Sequence, residues 1–472
     1  MNTPTRPAPS LMHRVRQIHL VGIGGAGMSG IAEVLLNLDF HVSGSDLVAS
    51  ESTRRLERMG ARIHLGHAAD QLGDADVVVI SAAIGEDNPE VVRARSRRIP
   101  VVARAEMLGE LMRFRHGIAV AGSHGKTTTT SMIASLLAAG RLDPTFIIGG
   151  LVNAFDSHAR LGKGRYLVAE ADESDGSFLK LQPVISLVTN IDRDHLDAYQ
   201  GSFDHLQSAF LEFIHHLPFF GVAVLCTDDP HVAELVPSAG RTVLTYGLNE
   251  QADVRGTDLV QQGRTMHFNL WLPEIDKPLP VTLNQPGRHN VQNAIGAAAV
   301  AWELGVPGET IVDALGEFSG IGRRFEALGD LQFGSAKVLA FEDYGHHPTE
   351  IDAVLQAARS GWPDRRLVLV FQPHRHTRTR DQFDAFARVL STVDVLVLAD
   401  IYAAGETAIA GIDADALARA IGQRREFPIH RVGPVVDAAE LLAGKLADGD
   451  LLLVMGAGDV GHLSARLKEI AA

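Results

Sequence analysis

The chain has one cysteine, Cys226, in 472 residues. That excludes an internal disulfide and a thiolate metal cage, and it fits a reducing compartment, the cytoplasm. No apolar run approaches the ~20 residues that span a bilayer, so membrane insertion is not expected. Met1–Arg16 mixes prolines, polar groups and arginines without the apolar stretch of a secretory signal. There is no repeat of fixed period and no long low-complexity tract. Positive charge is in deficit: 43 Lys and Arg stand against 57 Asp and Glu, for a formal net charge of −14. Such a balance gives no support for nucleic acid as a partner and leaves room only for local basic pockets. Lysine is missing altogether between Lys180 and Lys277. What is present is globular. Hydrophobic residues make up 46% and charged residues 21%, and ~150 residues per domain predicts about three domains.

Short β-branched runs, glycine turns and helical segments follow one another along the chain. Strands are expected at Ile18–Ile23, Val77–Ser81, Ile118–Ala121, Tyr166–Ala169, Ile185–Asn190, Ala223–Cys226, Val338–Glu342, Leu367–Phe371, Val395–Ala399 and Leu451–Met455. Their unbroken apolar character fits parallel strands covered on both faces, hence an α/β fold. The alternation restarts near Arg113–Gly117 and after Gly320–Arg324. Domains are therefore expected at 1–107, 108–322 and 323–472. The stretch Val254–Val281, short and punctuated by Pro and Gly, is expected to form an antiparallel edge of the middle domain.

Strand Ile18–Ile23 runs into Gly22-Ile23-Gly24-Gly25-Ala26-Gly27 and then a helix from Met28. Glycines at this spacing let the backbone approach a diphosphate at a helix N-terminus. The following strand ends near Asp46, the offset of a ribose-binding acid. NAD, another nucleotide, or a plain tight turn all satisfy this loop. A look-alike at Gly456-Ala457-Gly458-Asp459-Val460-Gly461 has no following strand to carry an acid and reads as a turn.

The middle loop is richer. Strand Ile118–Ala121 leads into Gly122-Ser123-His124-Gly125-Lys126-Thr127-Thr128 and an apolar helix. Backbone N–H groups of such a loop wrap phosphate oxygens, the lysine reaches the β- and γ-phosphates, and Thr127 offers a hydroxyl to Mg²⁺. Val120 stands where the strict pattern has its first glycine, so the loop is a shortened variant. A helix cap would explain the threonines but not Gly125-Lys126. Two later strands end in polar clusters, Glu170-Ala171-Asp172-Glu173-Ser174-Asp175 and Asn190 to Asp197 with His195. Carboxyl ends of parallel strands are where open α/β sheets bind ligands.

These stretches, with Gly287-Arg288-His289-Asn290-Val291-Gln292-Asn293 and Gly322-Arg323-Arg324-Phe325-Glu326, occur in an order that resembles the Mur ligases, ATP-dependent amide-bond enzymes of peptidoglycan synthesis. The resemblance covers nearly the whole chain. It implies a Rossmann-like N-terminal domain for the UDP-sugar, a central P-loop ATPase-like parallel-sheet domain for ATP, and a Rossmann-like C-terminal domain for the amino acid. Gly44-Ser45-Asp46, Asp343-Tyr344-Gly345-His346-His347-Pro348 and Phe371–Arg380 look most like the member that joins L-alanine to UDP-N-acetylmuramate. The lysine-free stretch agrees, because the other members carry a carbamylated lysine there. The family usually has threonine at Ser123.

The resemblance then assigns roles. The γ-phosphate of ATP passes to the sugar's lactyl carboxylate, and the amine attacks the acyl phosphate. Lys126, Glu170, His195 and Arg324 carry the catalytic chemistry. Thr127, Glu170 and His195 hold Mg²⁺. ATP meets Gly122, Ser123, His124, Gly125, Lys126, Thr127, Thr128, His289, Asn290, Asn293, Arg324 and Asp343. The UDP-sugar meets Gly22, Gly24, Gly25, Ala26, Gly27, Ser45, Asp46 and Ser81. L-Alanine meets Tyr344, His346, His374, Arg375 and Arg378. Closure is expected about linkers near Met107 and Gly320–Arg324, in a monomer or homodimer. Competing readings are a sister ligase adding a peptide to the same sugar nucleotide and an NAD-dependent oxidoreductase read from the first glycine loop. The oxidoreductase leaves Lys126, Glu170 and His195 unexplained.

Overall fold

Every strand expected from the apolar runs is present, within a residue or two at its ends, in a computed structural model that describes residues 12–81, 83–152 and 157–471. The leader up to Leu11 lies outside them. The strands form three sheets.

The first sheet holds β1 (Gln17–Val21), β2 (His41–Asp46), β3 (Arg62–Leu65), β4 (Val77–Ile80) and β5 (Val101–Ala103). Its order is β3-β2-β1-β4-β5, and every pairing is parallel. Chain direction across the sheet reverses at β1, the strand that feeds the first glycine loop. A ligand crevice belongs at such a switch point.

The second sheet holds β6 (His116–Ala121), β7 (Thr145–Val152), β8 (Ser157–Arg160), β9 (Tyr166–Glu170), β10 (Ile185–Val188), β11 (Val222–Cys226), β12 (Thr242–Gly247), β13 (Val254–Gln262), β14 (Thr265–Trp271) and β15 (Leu279–Leu283). Its order is β15-β14-β13-β12-β11-β10-β6-β9-β7-β8. The Pro- and Gly-punctuated stretch does supply one edge, although its junction, β12 with β13, is parallel. β6 lies parallel between β9 and β10, so the two acidic strand ends flank the middle glycine loop.

The third sheet holds β16 (Glu326–Phe333), β17 (Ala336–Asp343), β18 (Leu367–Phe371), β19 (Val395–Leu398), β20 (Ile429–Arg431) and β21 (Leu451–Met455), in the order β16-β17-β21-β18-β19-β20. Only β16 pairs antiparallel. Successive residues serve opposite faces: Phe341, Leu369 and Leu453 enter one core, and Ala340, Val370 and Val454 the other. Period-two alternation of buried apolar residues is what a strand covered on both faces requires.

The chain divides into two compact units. One is the stretch ending at Thr257 with Asn269–Val281 and Gln292–Phe318; the other is Asp258–Phe268, Thr282–Val291 and Ser319 onward. Within the first unit, the first and second sheets share one core that runs from Leu20 and Leu35 through Met107 and Leu111 to Phe178 and Phe210. Met107, expected near a linker, is instead buried within the helix Arg104–Arg113. Among the described residues, no helix is long and apolar enough to cross a membrane.

Candidate active site

The middle loop closes on its own lysine. Gly122 (φ 134°) and Gly125 (φ 81°) take backbone conformations that L side chains rarely adopt. The helix Lys126–Ala139 starts directly after them, with no side-chain cap. Lys126 Nζ donates to Gly122 O at 2.6 Å and to Glu173 Oε2 at 2.7 Å. Burial opposes its charge, but Glu173, Asp172 and Glu170 outweigh that and hold the ammonium above the ordinary lysine range. The result is a fixed cation at the mouth of a helix N-terminus, the arrangement that receives phosphate.

Glu170 reaches the same loop from the tip of β9. Its carboxylate is hydrogen-bonded by the Thr127 hydroxyl and by Gly149 N–H, the latter at 2.8 Å. Burial nevertheless pushes this carboxyl above its ordinary range. A desolvated carboxylate touching a hydroxyl is an oxygen pair short of positive charge, and such a pair suits a hard divalent cation. The donor set therefore fits Mg²⁺.

The tip of β10 wraps the other side. Asn190 Oδ1 accepts from His124 N–H at 2.9 Å, and Thr189 Oγ1 donates to His124 O at 2.6 Å. The Ser123 hydroxyl accepts from Asp192 N–H at 2.8 Å, a bond any β-hydroxyl provides, which accounts for serine in the threonine position. His124 Nε2 lies 2.9 Å from Asp192 Oδ2. His195 takes a left-handed conformation (φ 55°) and starts the short helix Leu196–Tyr199. Tyr199 donates its hydroxyl to Glu173 O at 2.5 Å. The segment bearing His195 is thus tied to the loop through Asp192 and to the acidic strip through Tyr199. Sequence reasoning gave no role to Glu173, Asn190, Thr189 or Tyr199. All but Tyr199 lie in polar strand ends, where no periodicity separates a pairing residue from a solvated one.

Asn293, on the helix Arg288–Glu303, lies against the loop. Its Oδ1 accepts from the Thr129 hydroxyl at 3.2 Å, and a Cβ at Gly125 would come within 2.6 Å of it. Thr128 is buried, and its backbone belongs to the first helical turn. At the helix's start, Asn290 is buried and donates to Pro286 O at 2.8 Å. His289 is driven down to about 4 by burial and by Arg324.

In the first loop, Gly22 (φ 81°) packs under Ser81, whose Oγ would lie 2.8 Å from an added Cβ. Gly22 and Ile23 donate their N–H groups to Ser45 O, at 2.8 and 3.1 Å. Gly24 N–H donates to Asp46 Oδ2 at 2.8 Å, and Gly25 N–H points back to Gly22 O at 3.4 Å. Asp46 therefore holds the loop. The Ser45 side chain has partners of its own. It is fully buried and donates to buried Glu90 at 2.6 Å, with His67 Nδ1 at 2.9 Å. Its carbonyl, not its hydroxyl, serves the loop. Ala26 and Gly27 open the helix Ala26–Asn37.

In the second unit, Asp343 at the end of β17 accepts from Phe325 N–H and Gly345 N–H at 2.8 and 2.6 Å. Burial raises its carboxyl, with Arg324 pulling the other way. The Arg324 guanidinium lies over the Tyr344 ring at 5.2 Å and 3.8 Å from Glu350. Tyr344, His346, His374 and Tyr402 then form a ladder of rings with successive centroids at 5.4, 5.8 and 5.5 Å. His374 is driven down to about 4, by burial first and then by His346 and the two arginines beside it. It is a neutral ring at pH 7, and its buried Nδ1 has no partner among the described residues. Arg375 is exposed and left-handed (φ 71°), while Arg378 is buried. The look-alike turn at Gly456 (φ 150°) supplies a carbonyl to Arg323 at 2.9 Å.

Profiles of known families cover the chain in three successive pieces. The Mur ligase catalytic domain matches residues 17–116, the Mur ligase middle domain 120–301, and the Mur ligase glutamate ligase domain 323–458. Over 458 residues the chain is 58% identical to a UDP-N-acetylmuramate–L-alanine ligase of Xylella fastidiosa (strain M12), covering 97% of this chain and 96% of that protein. Identity is 57% over the same length, with the same coverage, to its namesake in Xanthomonas euvesicatoria pv. vesicatoria (strain 85-10). The crystal structure of UDP-N-acetylmuramate-alanine ligase MurC from Thermotoga maritima superposes with a TM-score of 0.80 at 28% identity, over 96% of this chain and 98% of that one. A murein peptide ligase from Psychrobacter arcticus 273-4 gives 0.70 at 25%, over 97% and 100%. With three domain profiles in series and this identity over nearly the whole length, the chain belongs to the Mur ligase family.

Proposed function

We propose that this protein joins L-alanine to the lactyl carboxylate of UDP-N-acetylmuramate at the expense of ATP, releasing ADP and phosphate, as a step of peptidoglycan precursor synthesis. The observation that carries the reading is the convergence of Lys126, Thr127 and Glu170 on one loop, in a chain 58% identical to a ligase named for that reaction.

A carboxylate is a poor electrophile and must be activated before an amine attacks it. Transfer of the γ-phosphate to the lactyl oxygen makes an acyl phosphate; attack by the amine expels inorganic phosphate and forms the amide. Lys126 draws charge off the β- and γ-phosphates as they approach a second anion. Thr127, Glu170 and His195 would hold Mg²⁺, which would supply further charge neutralisation. Gly122, Ser123, Gly125 and Thr128 offer backbone N–H groups to the phosphates, with Asn293 against the same loop; the family resemblance gives His289, Asn290, Arg324 and Asp343 as further ATP contacts. Gly22, Gly24, Gly25, Ala26, Gly27, Asp46 and Ser81 receive the sugar nucleotide. Arg375 and Arg378 pair with the carboxylate of L-alanine. Neutral His374 offers its unpaired ring nitrogen as a hydrogen-bond partner to the amine of L-alanine. Tyr344 and His346 pack the rest of that pocket. Domains at 1–107, 108–322 and 323–472 would divide the three substrates among them.

The test is phosphate release from ATP with UDP-N-acetylmuramate and a panel of amino acids and peptides. Turnover that requires L-alanine supports the reading. Turnover only with a tripeptide would make the chain a sister ligase, and dependence on NAD would overturn it.

A further inference from the structure

The third glycine of the first loop has an unusual neighbour. In dinucleotide folds that glycine lets the helix pack closely on its strand. Here a Cβ on Gly27 would strike the Arg104 guanidinium, 2.7 Å from its NH1. Arg104 is the first residue of the helix Arg104–Arg113, a quarter exposed, and its NH2 lies 3.3 Å from Asp172 Oδ2. Asp172 sits two residues after Glu170, and the charge of Lys126 acts on it. One guanidinium therefore spans from the helix that opens the first glycine loop to the acidic strip of the phosphate site.

We propose that Arg104 is a residue of the sugar-nucleotide site that couples it to the ATP site: the diphosphate takes the guanidinium, and Asp172 is released from it when the sugar nucleotide binds. This rests on the reading of the first loop as the sugar-nucleotide site. The chemistry needs no new group. A diphosphate at the start of the helix Ala26–Asn37 carries two negative charges, and the first turn of that helix contains no acidic or basic side chain to meet or repel them. Arg104 is a cation placed beside Gly27, and a guanidinium binds phosphate oxygens in a bidentate fork more strongly than a single exposed carboxylate. Asp172, itself two-fifths exposed, loses one of the two cations acting on it and turns wholly to Lys126. Binding at one loop thus changes the charge presented at the other, and coupling of this kind is reciprocal.

The experiment is titration of UDP-N-acetylmuramate into the full chain by calorimetry, alone and with Mg²⁺ and a non-hydrolysable ATP analogue, for wild type, Arg104→Lys, Arg104→Ala and Asp172→Asn. In wild type, the analogue is expected to change sugar-nucleotide affinity about fivefold or more. Arg104→Ala is expected to weaken sugar-nucleotide binding at least tenfold and to abolish that change, with analogue affinity alone within twofold. Arg104→Lys keeps charge but not the fork and should fall between. Asp172→Asn frees the guanidinium, so it should tighten sugar-nucleotide binding while losing the coupling. Unchanged affinity in Arg104→Ala, with wild type binding the sugar nucleotide, overturns the proposal. Failure of wild type to bind it at all overturns the functional reading instead.

Discussion

The first and middle glycine loops share one backbone plan and differ in what surrounds it. Each follows a parallel strand at a switch in strand order, and each opens a helix that lacks a side-chain cap. The first loop is gripped from below by acceptors, Ser45 O and Asp46 Oδ2, and its seven residues from Gly22 to Met28 carry no charge. The middle loop contains its own cation, and that cation is held by the carboxylate of Glu173 from a neighbouring segment. The comparison teaches that glycine spacing encodes only an approach of backbone to an anion. Whether the loop binds a diphosphate passively or polarises a transferable phosphate is decided by side chains at the adjoining strand tips.

The sharpest way to break this contrast is to remove the charge from the middle loop. Lys126→Met should lower phosphate release by ~10³-fold or more, while UDP-N-acetylmuramate still binds by calorimetry. Equal loss of both would mean that the loops do not serve separate ligands. The next largest effect concerns the pairing itself. Lys126 and Glu173 are both largely sequestered, and leaving one member unpaired costs about 3–5 kcal/mol. Glu173→Ala should therefore lower the denaturant midpoint markedly, and Lys126→Met with Glu173→Ala should recover part of the loss. A double variant no more stable than Glu173→Ala would count against the pair as the cause.

Smaller effects are expected in the first loop. Gly27→Ala forces only the far end of a flexible arginine aside, so the fold should hold, with the thermal midpoint shifted by no more than a few degrees. Sugar-nucleotide affinity should drop about tenfold, the scale of one displaced charge-assisted contact. Wild-type affinity in this variant would show that the guanidinium has no part there.

The smallest effect is one of pH and falls in the second unit, where neither loop lies. His289 and His374 both titrate near 4 in the folded chain, below the ordinary histidine value of about 6.5. The unfolded chain therefore binds more protons between those limits, and stability rises with pH there. Their contribution is complete above about 6.5 and is lost as pH falls towards 4. Wild type should lose stability faster than His374→Phe across that window. Parallel curves would mean that the imidazole is not held neutral.

Much of the site was readable before any fold was known. Lys126, Thr127 and the glycine turns stand out by motif, because phosphate binding demands those groups at that spacing, whereas Glu170 was one acid of a cluster that only the family resemblance singled out. The apolar strands were readable for the same kind of reason. Strands such as β3, β5 and β20 were not. They are three or four residues long, only partly buried, and carry too few apolar positions to show a period.

The sequence by itself determined that parallel strands end in glycine turns and acidic clusters, since strand-forming runs and glycine positions are local properties. Only the tertiary structure decided which acid meets which cation. Glu170 ends β9 and Glu173 lies just beyond it, yet Glu173 neutralises Lys126 and Glu170 turns to Thr127. Ser45 looks like a ligand residue and is buried on Glu90, and Arg104, unremarked in its own stretch, reaches both Gly27 and Asp172. Such pairings depend on residues far apart in the chain being brought within hydrogen-bond distance, where burial strips away water and makes the choice of partner strong.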